Sequence, residues 1–297
     1  MISFIVPFLT IEKDKFLNIN EGFELTNSEN IIYSTLKTIK NINSLGCEKE
    51  ILLVDNSHTF PDLELPNVKV IKGWQALPLE KLKKIPEFMS HSDIKLSFDN
   101  FGADTMWASM AYHLGIQKSK GDYIVLQHND VFYHNDFIQE LVSKLEREKL
   151  GYISVDNKKV WISTYLLKRR LLDNHITNTT FSPQDGGHVN TKFGFADAYF
   201  FLTRKSFFDN YNVDWSYGDT NHGATVKCLH DKVDYLHLGP YWDNPNFDTP
   251  KNALHTYSYN DKPFISHLKG GFSEQKMSST DFEYELDRYF TGLNDAN

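Results

Sequence analysis

Short runs of consecutive apolar residues alternate along this chain with longer stretches in which apolar residues recur every three or four positions. Ile2 to Phe8, broken only by Pro7, reads as a first buried strand, and Glu50 to Ser57 reads as a second that ends in polar residues. Asn67 to Lys72 and Tyr123 to Leu126 add two more short strands. Between them, Glu29 to Ile42 places Ile31, Ile32, Leu36, Ile39 and Ile42 at helical spacing. Asp104 to Gln117 is helical in pattern, Lys120-Gly121-Asp122 punctuates it, and Asp136 to Leu150 is an amphipathic helix. Continuous apolar strands separated by helices predict an α/β fold: a mostly parallel sheet flanked by helices on both faces. Ligands of such sheets gather at the carboxyl ends of the strands. The polar clusters Asp55-Asn56-Ser57 and His128-Asn129-Asp130 fall at two such ends.

The second half is less regular. Lys158 to Asn190 reads as a basic helical piece, including Lys168-Arg169-Arg170, followed by a Thr/Asn/Gly-rich loop. Ala198 to Thr203 predicts a strand leading into a short helix at Lys205, and Val233 to Leu238 another strand. Beyond Gly239 the chain is rich in Pro, Asn, Asp and aromatics, with Asp281 to Phe290 as a terminal helix. Without internal repeats or a linker, 1–297 reads as a single domain with a variable C-terminal region.

Charge and cysteine content narrow the function classes. A net charge of -8 argues against broad binding to nucleic acid or anionic membranes, although a local basic patch can still serve an anionic ligand. No apolar run reaches the roughly 18 residues of a membrane span, and Met1 to Pro7 lacks the basic region of a signal peptide. The two cysteines, Cys47 and Cys228, lack metal-type spacing, so a reducing cytoplasm is the expected setting.

From Asn100 to Leu141 three short pieces stand in order: Asn100-Phe101-Gly102 opening a helix, Gly115-Ile116 closing it, and Gly121-Asp122-Tyr123 starting the next strand. That order resembles the centre of the family 2 glycosyltransferases, whose fold is called GT-A. Val6-Pro7, Val54-Asp55-Asn56-Ser57 and Phe195-Ala196-Asp197-Ala198 extend the resemblance over about residues 1 to 240. It implies a GT-A-like enzyme with a nucleotide-sugar-binding half (1–150) and an acceptor-side half with a C-terminal extension (151–297). The implied activity is transfer from a UDP- or GDP-sugar to a saccharide or glycan acceptor, with inversion, as in polysaccharide biosynthesis. Pro7, Asp55, Asn100, Gly102 and His128 fall where the family binds its donor. The family's acidic metal motif corresponds to His128-Asn129-Asp130, with a His in place of the first acid.

The chemistry explains why such residues are wanted. A nucleoside diphosphate leaves with growing negative charge, which a divalent metal stabilises. Asp130 is the lead ligand for Mn2+ or Mg2+, with His128 a second ligand or a phosphate donor, and the imidazole favours Mn2+. A strand-end turn capped by Asp130 is the competing reading. His267, followed by Lys269-Gly270-Gly271 one residue on, resembles the family's C-terminal ligand, with His237 and His255 as competitors among twelve histidines. A general base is needed at the attacking hydroxyl. Asp219 is preferred over Asp197 and His222, although Asp219 can equally cap the helix over 221–229. Asp55 suits a pyrimidine N–H, and Trp215, Tyr217, Tyr241 and Trp242 suit either sugar stacking or core packing.

Two other classes stay open. A catalytically silent nucleotide- or sugar-binding module is favoured by the replaced first acid. A nucleotidyltransferase is disfavoured because Phe8-Leu9-Thr10-Ile11-Glu12, and not a Gly-rich basic loop, follows the first strand. A zinc hydrolase lacks any close His pair of the His-Glu-x-x-His type.

Overall fold

The computed structural model describes residues 1–10, 28–57, 63, 65–73, 103–162, 176–182, 186–211, 222–239 and 254–268. Their elements follow in chain order. The first half comprises β1 (Ile2–Phe8), α1 (Ser28–Ser44), β2 (Lys49–Asp55), β3 (Val68–Lys72), α2 (Ala103–Lys118), β4 (Tyr123–Gln127), β5 (Val131–Tyr133) and α3 (Ile138–Arg147). The second comprises β6 (Tyr152–Ile162), β7 (Ile176–Ser182), β8 (Gly186–Arg204), α4 (Lys205–Tyr211), α5 (His222–Asp231), β9 (Leu236–Leu238), β10 (Leu254–Tyr259) and β11 (Lys262–Leu268).

The main sheet has the order β3-β2-β1-β4-β8-β6-β9, with β7 paired to β8. Pairings β1/β2, β2/β3, β1/β4 and β6/β9 are parallel, and the three made by β8 are antiparallel. The sheet is therefore mostly parallel, as the apolar runs predict. Both faces are covered. Phe4 and Val6 of β1 and Ile51 and Leu53 of β2 pack with Ile39, Ile42, Leu141 and Leu145 of α1 and α3. Ile5, Leu52 and Val54 point the other way, onto Ala111, Tyr112 and Ile116 of α2. Two-sided burial is why these strands read as continuous apolar runs and not as an alternation.

Close backbone approach accounts for two of the glycines in the motif. A Cβ on Gly115 would sit 2.3 Å from Ile5 Cγ2, so α2 rests directly on β1. A Cβ on Gly121 would sit 2.5 Å from Ser3 Oγ, the atom to which Gly121 N–H donates at 2.8 Å. Gly115→Ala is expected to destabilise the fold by about 1–3 kcal/mol through overpacking, read as a lowered urea midpoint.

The second half departs from expectation. Lys158 to Ile162 continues β6, and Ile176–Ser182 pairs with the front of the 19-residue strand β8, where the sequence suggested a helical piece and a loop. Thr, Val and Ile at these positions suit a pleated ladder, and pairing with β8 overrides the basic helical pattern. Lys168-Arg169-Arg170 lies outside the described residues, as does the helix expected over Asp281 to Phe290. A hairpin not foreseen from the sequence, β10–β11, joins β5 in a second sheet of order β10-β11-β5. Its loop is Asn260-Asp261, with φ of 51° and 61°, as a two-residue type I′ connection requires.

A buried polar chain ties α5 to the sheet. Tyr152 Oη lies 2.7 Å from Thr225 Oγ1 and 3.0 Å from His237 Nε2, and Ala196 N–H donates to Thr225 Oγ1. Burial pushes the His237 imidazole down from 6.5 to about 4. The unfolded chain then takes up a proton that the folded state refuses, so stability is complete above pH 6.5 and is lost as pH falls toward 4. His237 contributes roughly 3 kcal/mol of that loss, measured by urea titration, and His237→Gln should remove its share while His134, which burial also lowers to about 4, keeps its own.

Candidate metal and donor site

In the order β3-β2-β1-β4 the connections lead to opposite sides of β1, and the crevice of such a sheet opens where the order reverses, between β1 and β4. Pro7 helps to open it. Ile2 N–H donates to Glu48 O on the β2 side, so Ser3, Ile5 and Pro7 turn their backbone groups toward β4. Pro7 has no N–H to give, and the β1/β4 ladder ends at Ile5↔Leu126. The half-buried Pro7 thus lies where the two strands part.

His128, Asn129 and Asp130 follow β4 directly. The turn is gripped by α1: Ser34 Oγ and Thr38 Oγ1 both donate to Asn129 O at 2.9 Å, and Asn129 Nδ2 donates to Thr35 Oγ1 at 3.0 Å. Beyond it, Asn41 clasps the Tyr133 backbone, accepting from its N–H at 2.7 Å and donating to its carbonyl at 3.0 Å. The loop that carries Asp130 is therefore built into the core. Ser34→Ala with Thr38→Ala strips both donors from a part-buried carbonyl. We expect about 1–3 kcal/mol of lost stability, read by urea titration, together with weakened cation binding at Asp130.

His267 arrives from far along the chain. β11 runs antiparallel to β5 with His267 opposite Val131, which sets it beside Asp130. Asp130 and His267 are 3% and 2% exposed, and His267 Nε2 lies 3.2 Å from Asp130 Oδ1. With His128 they offer two imidazole nitrogens and one carboxylate oxygen, all within 4.8 Å of one another. Burial alone would raise the Asp130 carboxyl, but the imidazoles of His267 and His128 outweigh it and hold the group below its ordinary value. The carboxylate is charged and aimed at both rings. Among the described residues, His267 Nδ1 is buried without a hydrogen-bond partner, and Asp130 Oδ1 and His267 Nε2 are buried with only each other within reach. Buried polar atoms are nearly always satisfied, so these atoms, converging in one place, fit a cation shared among them.

Tyr199 completes the cluster and carried no sequence signal as a site residue. Its ring stacks on His267 at 3.5 Å between centroids and 16° between planes, and meets His128 edge-on at 5.2 Å. An irregularity in β8 directs it there. Between the pairs Ser154↔Phe201 and Asp156↔Ala196, β6 advances two residues and β8 five. Asp197 sits in this bulge, 4% exposed, and its Oδ1 accepts from Tyr199 N–H at 3.2 Å. Its carboxylate is thus engaged in shaping the bulge that presents Tyr199.

Asp55 closes β2 at 1% exposure. Its Oδ1 accepts from Ser57 N–H at 2.9 Å, while Oδ2 is buried without a partner. Of the other residues singled out from the sequence, His237 belongs to the Tyr152 network away from this cluster. His255 stands opposite His267 in the β10/β11 register. Asn100, Gly102, Asp219, Trp215, Tyr217, Tyr241 and Trp242 lie outside the described residues, and His222 begins α5.

Residues 102–211 match the sequence profile described as glycosyl transferase family 2, which bears out the resemblance over that span. No curated protein matches the chain. Among solved structures, a mannosyltransferase from Pyrobaculum calidifontis in complex with GDP-Man and Mn2+ is similar at 10% identity and a TM-score of 0.42. That likeness covers 80% of this chain and 54% of that one. TarS 1-349 from S. aureus in complex with UDP-GlcNAc is similar at 11% identity and a TM-score of 0.43, over 98% of this chain and 66% of that one. The chain spans less than two thirds of the length of either.

Proposed function

With its central segment matching glycosyl transferase family 2, we propose that this chain is an inverting glycosyltransferase that moves a sugar from a UDP- or GDP-sugar to a saccharide or glycan acceptor. The observation that carries this reading is the His128–Asp130–His267 cluster, its last two members buried, at the carboxyl end of β4, inside or in register with the matched segment. Residues 1–150 would bind the donor and residues 151–297 the acceptor.

Geometry and sequence context support the following roles. Asp130, His128 and His267 would hold a divalent cation, Mn2+ or Mg2+, which when bound supplies Lewis-acid neutralisation of the departing diphosphate. Asp55 Oδ2, a buried acceptor with nothing to accept from, would take an N–H of the nucleotide base. Pro7 keeps the β1/β4 crevice open beside it. Asp219 is the proposed general base on its sequence context, and the engagement of Asp197 with Tyr199 N–H argues for it over Asp197. One observation favours a second reading, a silent nucleotide-binding module: a His stands at the first position of the metal motif. Detectable hydrolysis of a nucleotide-sugar would separate the two.

The test is thermal unfolding with a panel of nucleoside diphosphates, with and without Mn2+. A ligand at 100 times its dissociation constant adds about 2.7 kcal/mol to the folded state. UDP or GDP raising the midpoint only with the metal supports the reading and names the base. No shift with any nucleotide under any metal condition would remove the donor-site assignment.

A further inference from the structure

We propose that Thr225 is a positioning residue for the transfer step: its hydroxyl fixes the first turn of α5, and with it the base carried just ahead of that helix, against the β8 bulge. The proposal rests on the reading of Asp219 as general base. It goes further in naming what holds that base in register with the donor side.

The direction of α5 puts its first turn at the right end of the sheet. β4 and β6 are both antiparallel to β8, so they run the same way. Leu126 and Ser154 both pair with Phe201, which sets Asp156, two residues on, level with the end of β4. Thr225, in the first turn of α5, meets Ala196, the partner of Asp156. At the other end Cys228 packs on Gly151, directly before β6, where an added Cβ would lie 2.7 Å from its Sγ. The helix therefore runs back along the sheet from the side where His128 and Asp130 follow β4. Asp219 stands three positions before His222, and three residues span at most about 11 Å. Whatever fixes the first turn of α5 limits where Asp219 can stand.

The partner of Thr225 is the part of β8 that shapes the cation cluster. Ala196 N–H donates to Thr225 Oγ1 at 2.8 Å, and the next residue, Asp197, lies in the bulge. From β6, Ser154 Oγ accepts from Asp197 N–H at 3.1 Å and donates to Phe200 O at 2.6 Å. Between these two grips stands Tyr199, with its ring on His267. Thr225 thus registers α5 on the same backbone that orients a residue of the cluster.

The Thr225 hydroxyl is itself held. With the Ala196 N–H directed at its oxygen, its own hydrogen is left for Tyr152 Oη at 2.7 Å, and Tyr152 Oη lies 3.0 Å from His237 Nε2. Burial keeps His237 neutral, so its Nε2 can end the chain as acceptor. Tyr152 is fixed by stacking on Phe201 and Tyr235 at 4.9 and 5.0 Å. Thr225, Tyr152 and Ala196 are all fully buried, so removing the hydroxyl leaves an N–H without water to turn to. The first turn must then shift, and a base displaced by about 1 Å loses on the order of 100-fold in rate.

Two measurements on the full chain test this. Thr225→Val keeps the side-chain shape and removes the hydroxyl, and sugar transfer is followed in this variant, in Asp219→Ala and in the double variant. Thr225→Val alone should lower kcat by about 10- to 100-fold and leave the donor KM within about twofold of wild type. Thr225→Ser should recover most of the rate. In the Asp219→Ala background Thr225→Val should cost nothing further, because it acts through the base. Amide hydrogen exchange, which needs no activity, should quicken over the first turn of α5 and stay unchanged around Cys228. If Thr225→Val does not fold, Tyr152→Phe, which removes the next hydroxyl along, enters the same cycle with a smaller loss expected. Wild-type kcat in the folded variant, losses that add to those of Asp219→Ala, or unchanged exchange in the first turn would each overturn the proposal. Wild-type turnover by Asp219→Ala would instead remove the base reading itself, and the role of Thr225 with it.

Discussion

Asp130→Asn is expected to lower the rate of sugar transfer by about 100- to 1000-fold and to abolish metal-dependent stabilisation by nucleoside diphosphate. The substitution keeps the shape and volume of the side chain and removes only its charge. The surrounding imidazoles hold the Asp130 carboxyl below its ordinary value, so the native group is ionised throughout the neutral range and the variant differs there by a full charge. Fold stability should fall only modestly by comparison, because the imidazole attraction that is lost is partly offset by the desolvation cost that goes with it. Transfer or donor hydrolysis in saturating Mn2+, beside a thermal scan without ligand, checks both halves. A variant that turns over at the wild-type rate would show that Asp130 is a turn-capping residue and that the cation, if any, is held elsewhere.

Phe264→Ala should have the largest effect on stability. Phe264 is fully buried in β11, with its ring against Tyr133, Phe137 and Phe200 at centroid distances of 5.6, 6.0 and 5.3 Å. Truncating a buried Phe costs about 3–5 kcal/mol, which in a chain of this size is on the order of 10 °C in the melting midpoint. The damage is not confined to packing. β11 carries His267 three residues on, and Phe264 O accepts from His134 N–H at 2.7 Å where the small sheet joins the β5 segment. Cation affinity should therefore fall with stability, although Phe264 touches no ligand. Phe264→Leu, which keeps most of the volume, should recover much of both. If Phe264→Ala loses stability and keeps wild-type Co2+ affinity, His267 is held by contacts other than this ladder.

Much of the first half was legible because its signals are local. Strand runs from Ile2, Glu50, Asn67 and Tyr123 and helical spacing from Glu29 and Asp104 needed only near neighbours to read. The structure returns them within a few residues. His128 and Asp130 were legible for the same reason, since a polar cluster directly after an apolar strand marks a strand end. The Asn260-Asp261 hairpin was missed although its signal is a short one: two residues that tolerate positive φ, between strands rich in β-branched and aromatic residues. The β6–β8 region was misread because its strand character comes from pairing between segments about 30 residues apart, which no window of the sequence contains.

What this sequence determines by itself is the parallel half of the sheet, the helices against it and the two polar strand ends. Each follows from hydrophobic spacing along a single element. Its glycines add where a neighbour packs onto bare backbone, as the Ile5 side chain does on Gly115. Only the tertiary structure decides that His267 is a neighbour of Asp130, because a β-ladder register joins residues 137 positions apart. The same holds for Tyr199, whose place on His267 is set by a bulge in one strand and the path of another. Chemistry assembled across strands is specified by pairing and packing, and those are properties of the folded chain.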